Sequence, residues 1–106
     1  MVRVIVQHQT KSKKDSDKLI DAIHELRMEA MKQPGYVTGE TLINSEDSRN
    51  VLVISTWNKE EQWNAWDTSE NRINLTKPIN SLLKEPYAVT IYNFAAVKAG
   101  RVMSIF

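Results

Sequence analysis

Residues 2–9 alternate, with Val2, Val4 and Val6 on one side, Arg3, Gln7 and Gln9 on the other, and Ile5 interrupting the polar side. A period of two predicts a strand buried on one face and partly covered on the other. Over residues 13–33 the period changes. Leu19, Ile23, Leu26 and Ala30 recur at helical intervals, supported by Ile20, Ala22 and Met31, which predicts an amphipathic helix. Pro34-Gly35 ends it, because proline does not continue a helix cheaply and glycine accepts the left-handed exit. Residues 36–43 and 51–57 read as strands joined by the polar loop NSEDSRN, 44–50. So short a connection makes an antiparallel hairpin, since a parallel crossover takes about a dozen residues or more.

Asn58 stands where a helix N-cap belongs, with Glu61 three positions later, a capping-box-like start. Thr68-Ser69 ahead of Glu70 restarts the helix, and Pro78 predicts a break or the first turn of a further short helix, with Ile79, Leu82 and Leu83 packing inward. Glu85-Pro86 stops it. Residues 87–94 form the last strand, with Tyr87, Val89 and Ile91 on one side and Ala88, Tyr92 and Phe94 on the other. The order is β-α-β-β-α-β, an α+β, ferredoxin-like arrangement: a four-stranded antiparallel sheet with its helices on one face. Both faces of the strands are apolar and the helices cover only one. The other is expected to be buried by a second copy of the chain, making a homodimer. The domain is expected to occupy residues 1–94. Residues 95–106, apolar at Val102, Met103, Ile105 and Phe106, are expected to form an arm packing on their own sheet or on the partner.

Bulk properties narrow the function classes. A chain of 106 residues, 42% hydrophobic and 25% charged, suits one globular domain. A net charge of +1 argues against nucleic acid as the main partner, which wants a concentrated basic surface. Asp15 and Asp17 dilute the one basic cluster, Lys11, Lys13 and Lys14. The absence of cysteine removes disulfides, thiolate nucleophiles and cysteine metal sites, and is compatible with a reducing compartment. The first strand lacks a signal peptide's apolar stretch, and no apolar run approaches the roughly 20 residues that span a bilayer. The expectation is a cytoplasmic protein with no membrane partner.

The three tryptophans, Trp57, Trp63 and Trp66, fall within ten residues of the run VLVISTWNKEEQWNAWDTSENR. That run, with QPGYVTGETL before it and PINSLLKEPYAVTIY after it, resembles the antibiotic biosynthesis monooxygenase domain, a branch of the dimeric α/β-barrel superfamily. The resemblance covers about residues 2–93. It rests on the Pro-Gly turn, on Trp57 followed by Glu60 and Glu61, on the Ser69-x-x-Arg72 step, and on the leucine-rich run into Glu85-Pro86. The resemblance implies a homodimer whose two sheets close into a barrel, with a pocket in each subunit between the sheet and its own helices. Relatives of this kind oxidise polycyclic phenols, anthrones or quinols with dioxygen and no metal or flavin. Others degrade haem, and some process small signalling molecules. Trp66 matches the tryptophan of the haem-degrading motif, but Thr76 stands where its histidine belongs and the first strand has no asparagine. Haem iron normally needs such a ligand, so the haem reading is weakened.

Metal-free oxygenation asks for a dry pocket, a group that accepts a proton and donors for developing negative charge. His8 is the base candidate, against a plain reading as an interface histidine making one hydrogen bond. His24, beside Glu25, reads as exposed. Trp66 is the pocket candidate, because helical spacing and resemblance agree; its plain reading is core packing. Trp63 reads as core and Trp57 as the seal of the helix–sheet junction. Asn71 and Arg72 are candidates for orienting a carbonyl or phenolate, Arg72 through its forked donors, against an ordinary salt bridge. The hydroxyls of Tyr36 and Tyr92 are further substrate-binding candidates, although tyrosine suits a half-buried strand equally. Two histidines on different elements make no metal signature, and no cofactor is expected. Three readings follow: a cofactor-independent monooxygenase acting on a small aromatic or quinol-like compound, a non-catalytic binding or sensing module on the same fold, and a haem-binding relative.

Overall fold

The structure is a computed structural model that describes residues 1–95. Its elements run β1 (Val2–Gln9), α1 (Lys13–Ala30), β2 (Tyr36–Ile43), β3 (Asn50–Trp57), α2 (Glu60–Asp67), α3 (Glu70–Leu82) and β4 (Ala88–Asn93). The sheet is antiparallel in the order β2-β3-β1-β4, so β1 and β3 are central and the expected α+β ferredoxin-like fold is the one observed. The proposed C-terminal arm lies outside the described residues apart from Ala95.

Alternation on β1 sorts the two faces. Val2, Val4, Val6 and His8 are buried beneath the helices, and the register aligns them with Trp57, Ser55, Val53 and Val51 of β3. One core cluster joins Val2, Val4, Val6 and Ala30 to all three tryptophans, and a second joins Leu19, Ile23, Val51, Ile79 and Leu83. Leu26, Val53 and Tyr87 pack against both. Helix α1 lies against α3 and, among the strands, approaches the edge strand β2 most closely.

Local chemistry explains most boundaries. The Ser12 hydroxyl accepts from the Asp15 N–H at 3.3 Å to begin α1, and Ser69 does the same for Arg72 at 3.2 Å to begin α3. The cap of α2 differs from the expectation. The Asn58 N–H donates to the Gly35 carbonyl at 2.8 Å, which ties Asn58 to the turn and moves the N-cap to Lys59. The Gln62 side-chain oxygen, rather than Glu61, then accepts from the Lys59 N–H at 3.0 Å. Pro78 is also not a break: it lies inside the continuous helix α3. Pro78 and Asn74 are both exposed, so the Asn74 carbonyl that loses its intrahelical donor is solvated instead.

Gly35 holds this corner together. Its φ of +86° lies in the left-handed region, and a Cβ there would stand 1.9 Å from the Gln62 side-chain oxygen that caps α2. A glycine-specific turn thus sets where the tryptophan-bearing helix begins. Gly35→Ala is expected to destabilise the fold by about 1–3 kcal/mol, from left-handed strain and displacement of the cap, as read from urea unfolding midpoints.

Among the described residues no helix is long and apolar enough to cross a membrane. The sheet face away from the helices carries half-buried Ile5, Leu52 and Ile54 and exposed Leu42, Tyr92 and Phe94.

Candidate functional site

Between the sheet and the helices lies a cavity of about 50 Å³, walled by β1, β2, β3, α1, α2 and the start of α3. Its lining is largely apolar and aromatic, with His8, Arg27, Tyr36, Ser55 and Arg72 as its polar members. That volume holds a few waters or dioxygen; an aromatic substrate enters only if a wall moves. A larger hollow of about 520 Å³ is open and shallow, framed by Gln7, Gln9, Asn44, Asn50 and Leu52 at one end of the sheet. It carries His8 alone of the candidate residues, so the cavity between sheet and helices, which gathers several of them, is the better site.

His8 is inside because it shares the parity of Val2, Val4 and Val6, and it is 7% exposed. Its Nδ1 lies 3.2 Å from the carbonyl oxygen of Val51, its partner across the ladder. A carbonyl can only accept, so the bond requires the proton on Nδ1 and leaves Nε2 as the open acceptor. No fully buried side-chain nitrogen or oxygen among the described residues lacks a partner. Nε2 bonds none of them. Burial holds the His8 pKa below 6.5; the Val51 bond opposes this and the Arg72 charge adds to it. The imidazole is neutral at pH 7.

Arg72 is buried, 5% exposed, rather than in a surface pair. Its Nε donates to the Asp67 carboxylate at 3.1 Å, and its guanidinium lies 4.9 Å from the centre of the Trp63 ring. The carboxylate and the ring face compensate the charge that burial would otherwise make costly. Trp66, 2% exposed, lines the cavity beside it. Trp63 and Trp57 also reach the wall, and Trp57, fully buried, donates from Nε1 to the Ser55 hydroxyl at 3.0 Å. Tyr36 meets Trp57 edge-on at 5.4 Å, and burial pushes its hydroxyl pKa upward.

The structure therefore brings His8, Trp66, Arg72 and Tyr36 to one cavity and leaves two candidates away from it. Asn71 is exposed and donates to Glu29 at 3.2 Å; one residue along a helix is a rotation of about 100°, enough to turn it off the wall that Arg72 occupies. Tyr92 is 58% exposed and opposite Arg3 in the register, on the face the helices do not cover. His24 is exposed. Thr76 is buried and donates to the Ile73 carbonyl at 3.0 Å, so its side chain serves its own helix.

Sequence reasoning missed Arg27 and Gly39, both on the wall. Each left a signal. Arg27 stands four residues after Ile23 and three before Ala30, a cation set into the apolar stripe of α1. Gly39 interrupts a strand, which often marks close approach of another group.

The family model for antibiotic biosynthesis monooxygenase matches residues 1–72. Among solved structures, one described as an antibiotic biosynthesis monooxygenase superposes with a TM-score of 0.79 at 18% identity, covering 91% of this chain and 100% of that one. A conserved protein from Methanosarcina mazei Go1 gives 0.78 at 15% identity, covering 86% and 89%. SnoaB, a cofactor-independent oxygenase from Streptomyces nogalater, gives 0.75 at 10% identity, covering 94% and 97%. A search of curated proteins finds no match. The solved structures share the fold, and the family model covers more than half of the sequence: the chain belongs to the antibiotic biosynthesis monooxygenase family.

Proposed function

We propose that this protein is a cofactor-independent monooxygenase that oxidises a small aromatic or quinol-like compound with dioxygen. The observation that carries this reading is a buried His8, its pKa lowered by desolvation and its Nδ1 committed to the Val51 carbonyl, on the wall of a cavity shared with Trp66 and Arg72. A base used near neutral pH must be unprotonated and close to the acidic hydrogen of its substrate. His8 meets the first condition through its burial.

The chemistry follows from what these groups offer. Nε2 takes a proton from a phenol or from an activated CH₂ beside a ring. The resulting anion passes an electron to dioxygen, and the two radicals combine to a carbon-bound peroxide. Breaking its O–O bond with loss of the remaining hydrogen leaves a carbonyl and releases water. One oxygen atom enters the product, the other is reduced to water, and the electrons come from the substrate carbon. The Arg72 guanidinium favours the anion and the reduced oxygen. The Trp66 and Trp63 rings offer flat surfaces for an aromatic and keep the site dry.

The working protein in this reading is a homodimer. Leu42, Tyr92 and Phe94 with Ile5, Leu52 and Ile54 form an apolar sheet face that no helix among the described residues covers, and such a face is stabilised by pairing with another sheet. Tyr92 then belongs to the dimer contact rather than to substrate.

The test is oxygen uptake with model quinols and anthrones. His8→Ala should lower kcat about a hundredfold or more and abolish the acid limb of the pH–rate profile. In the wild type that limb should have its midpoint below 6.5, the direction in which burial moves His8. Uptake that is unchanged in His8→Ala removes His8 from the mechanism, and ligand binding without uptake supports a binding module instead. The same shift acts on stability. A folded-state pKa below the unfolded one stabilises the protein above about pH 6.5, and this contribution is lost as pH falls through the folded pKa. Light scattering should give twice the 12.2 kDa chain mass, and Tyr92→Asp should move the protein toward monomer.

A further inference from the structure

The cavity wall holds two arginines, Arg27 and Arg72, and no carboxylate. Arg72 has Asp67. Arg27 has no carboxylate partner among the described residues: its guanidinium donates to the Thr41 hydroxyl, a neutral acceptor, and stands against Tyr36. Arg27 is only half-buried and Thr41 lies on the edge strand β2. Its side chain thus reaches from α1 to β2 along one edge of the cavity. Gly39 supplies the space beneath. A Cβ at this position would lie 2.3 Å from the Tyr36 hydroxyl and 3.2 Å from Arg27 Nε, so the absent side chain is what lets both groups rest over the sheet.

We infer that Arg27, with the Tyr36 hydroxyl, is a specificity-determining anion site at the mouth of the cavity, which selects aromatic ligands bearing a negative oxygen, such as an arylcarboxylate or an ionised phenol. The inference rests on the cavity being the substrate site. A guanidinium that is partly desolvated and bonded only to neutral oxygens retains unused donors and uncompensated charge. A carboxylate or phenolate supplies both and is fork-compatible. The Arg27–Thr41 bond is a single side-chain contact that a bond to the ligand can replace. Tyr36, edge-on to Trp57, places its hydroxyl as a second donor at the same point.

Isothermal titration calorimetry with 2-naphthoate and its neutral counterpart 2-naphthamide tests this without depending on turnover. The wild-type protein should prefer the naphthoate by about tenfold or more, the scale of one charge-assisted hydrogen bond. Arg27→Gln should bring the two ligands close to equal affinity, and Arg27→Lys should restore part of the preference. A wild type that binds both equally, or an Arg27→Gln variant that keeps the full preference, overturns the anion site while leaving the cavity as a binding site. Binding of neither compound overturns the inference together with the cavity reading beneath it.

Discussion

The parity of the central strand governs the rest of the molecule. Val2, Val4, Val6 and His8 share one side of β1 and all four are buried there, because the two-residue repeat of a pleated strand sends them to the same face. The burial that stabilises the valines therefore also takes an imidazole out of water. Its Nδ1 proton finds the one carbonyl the ladder offers, that of Val51, and desolvation keeps the ring neutral. A core-forming pattern and the burial of the proposed base thus have one cause.

The electrostatics of the site follow from the same packing. Arg72 enters the interior because Ser69 caps α3 and turns it inward, where Asp67 and the Trp63 face receive its charge. A cation close to His8 disfavours imidazolium and favours any anion formed beside it. A positive cavity with a neutral base is a consistent design for removing a proton from a substrate that becomes negative. Arg27 extends that field to Thr41 on the edge strand β2.

The alternation that fills one face leaves the other apolar and uncovered. Ile5, Leu52 and Ile54 are half-buried by their neighbours, whereas Leu42, Tyr92 and Phe94 stand in solvent. The Arg3–Glu40 pair at 4.0 Å is the described ion pair on this face, too exposed to contribute much stability by itself. One-sided coverage by helices thus explains both the cavity and the surface suited to a second chain.

The residues alone determined the periodic features: the β1 alternation, the α1 stripe, the hairpin loop, the Ser69 restart and the exit at Gly35. Each is a local pattern whose energetics depend on neighbours a few positions away. Local reading failed where a distant partner intervened. Asn58 was claimed by the Gly35 carbonyl, so the α2 cap moved to Lys59, and Pro78 kept its helix because solvent, not a packed neighbour, faces it. Site membership was only half legible. His8, Trp66, Arg72 and Tyr36 converge on the cavity, but Asn71 and Tyr92 do not, because helix phase and sheet face separate residues that look equivalent in a string. Arg27 and Gly39 gain meaning only together, one on a helix and the other on an edge strand. The cavity between them is a product of which elements pack closely and which do not. That is decided by long-range contacts, and no short window of sequence contains them.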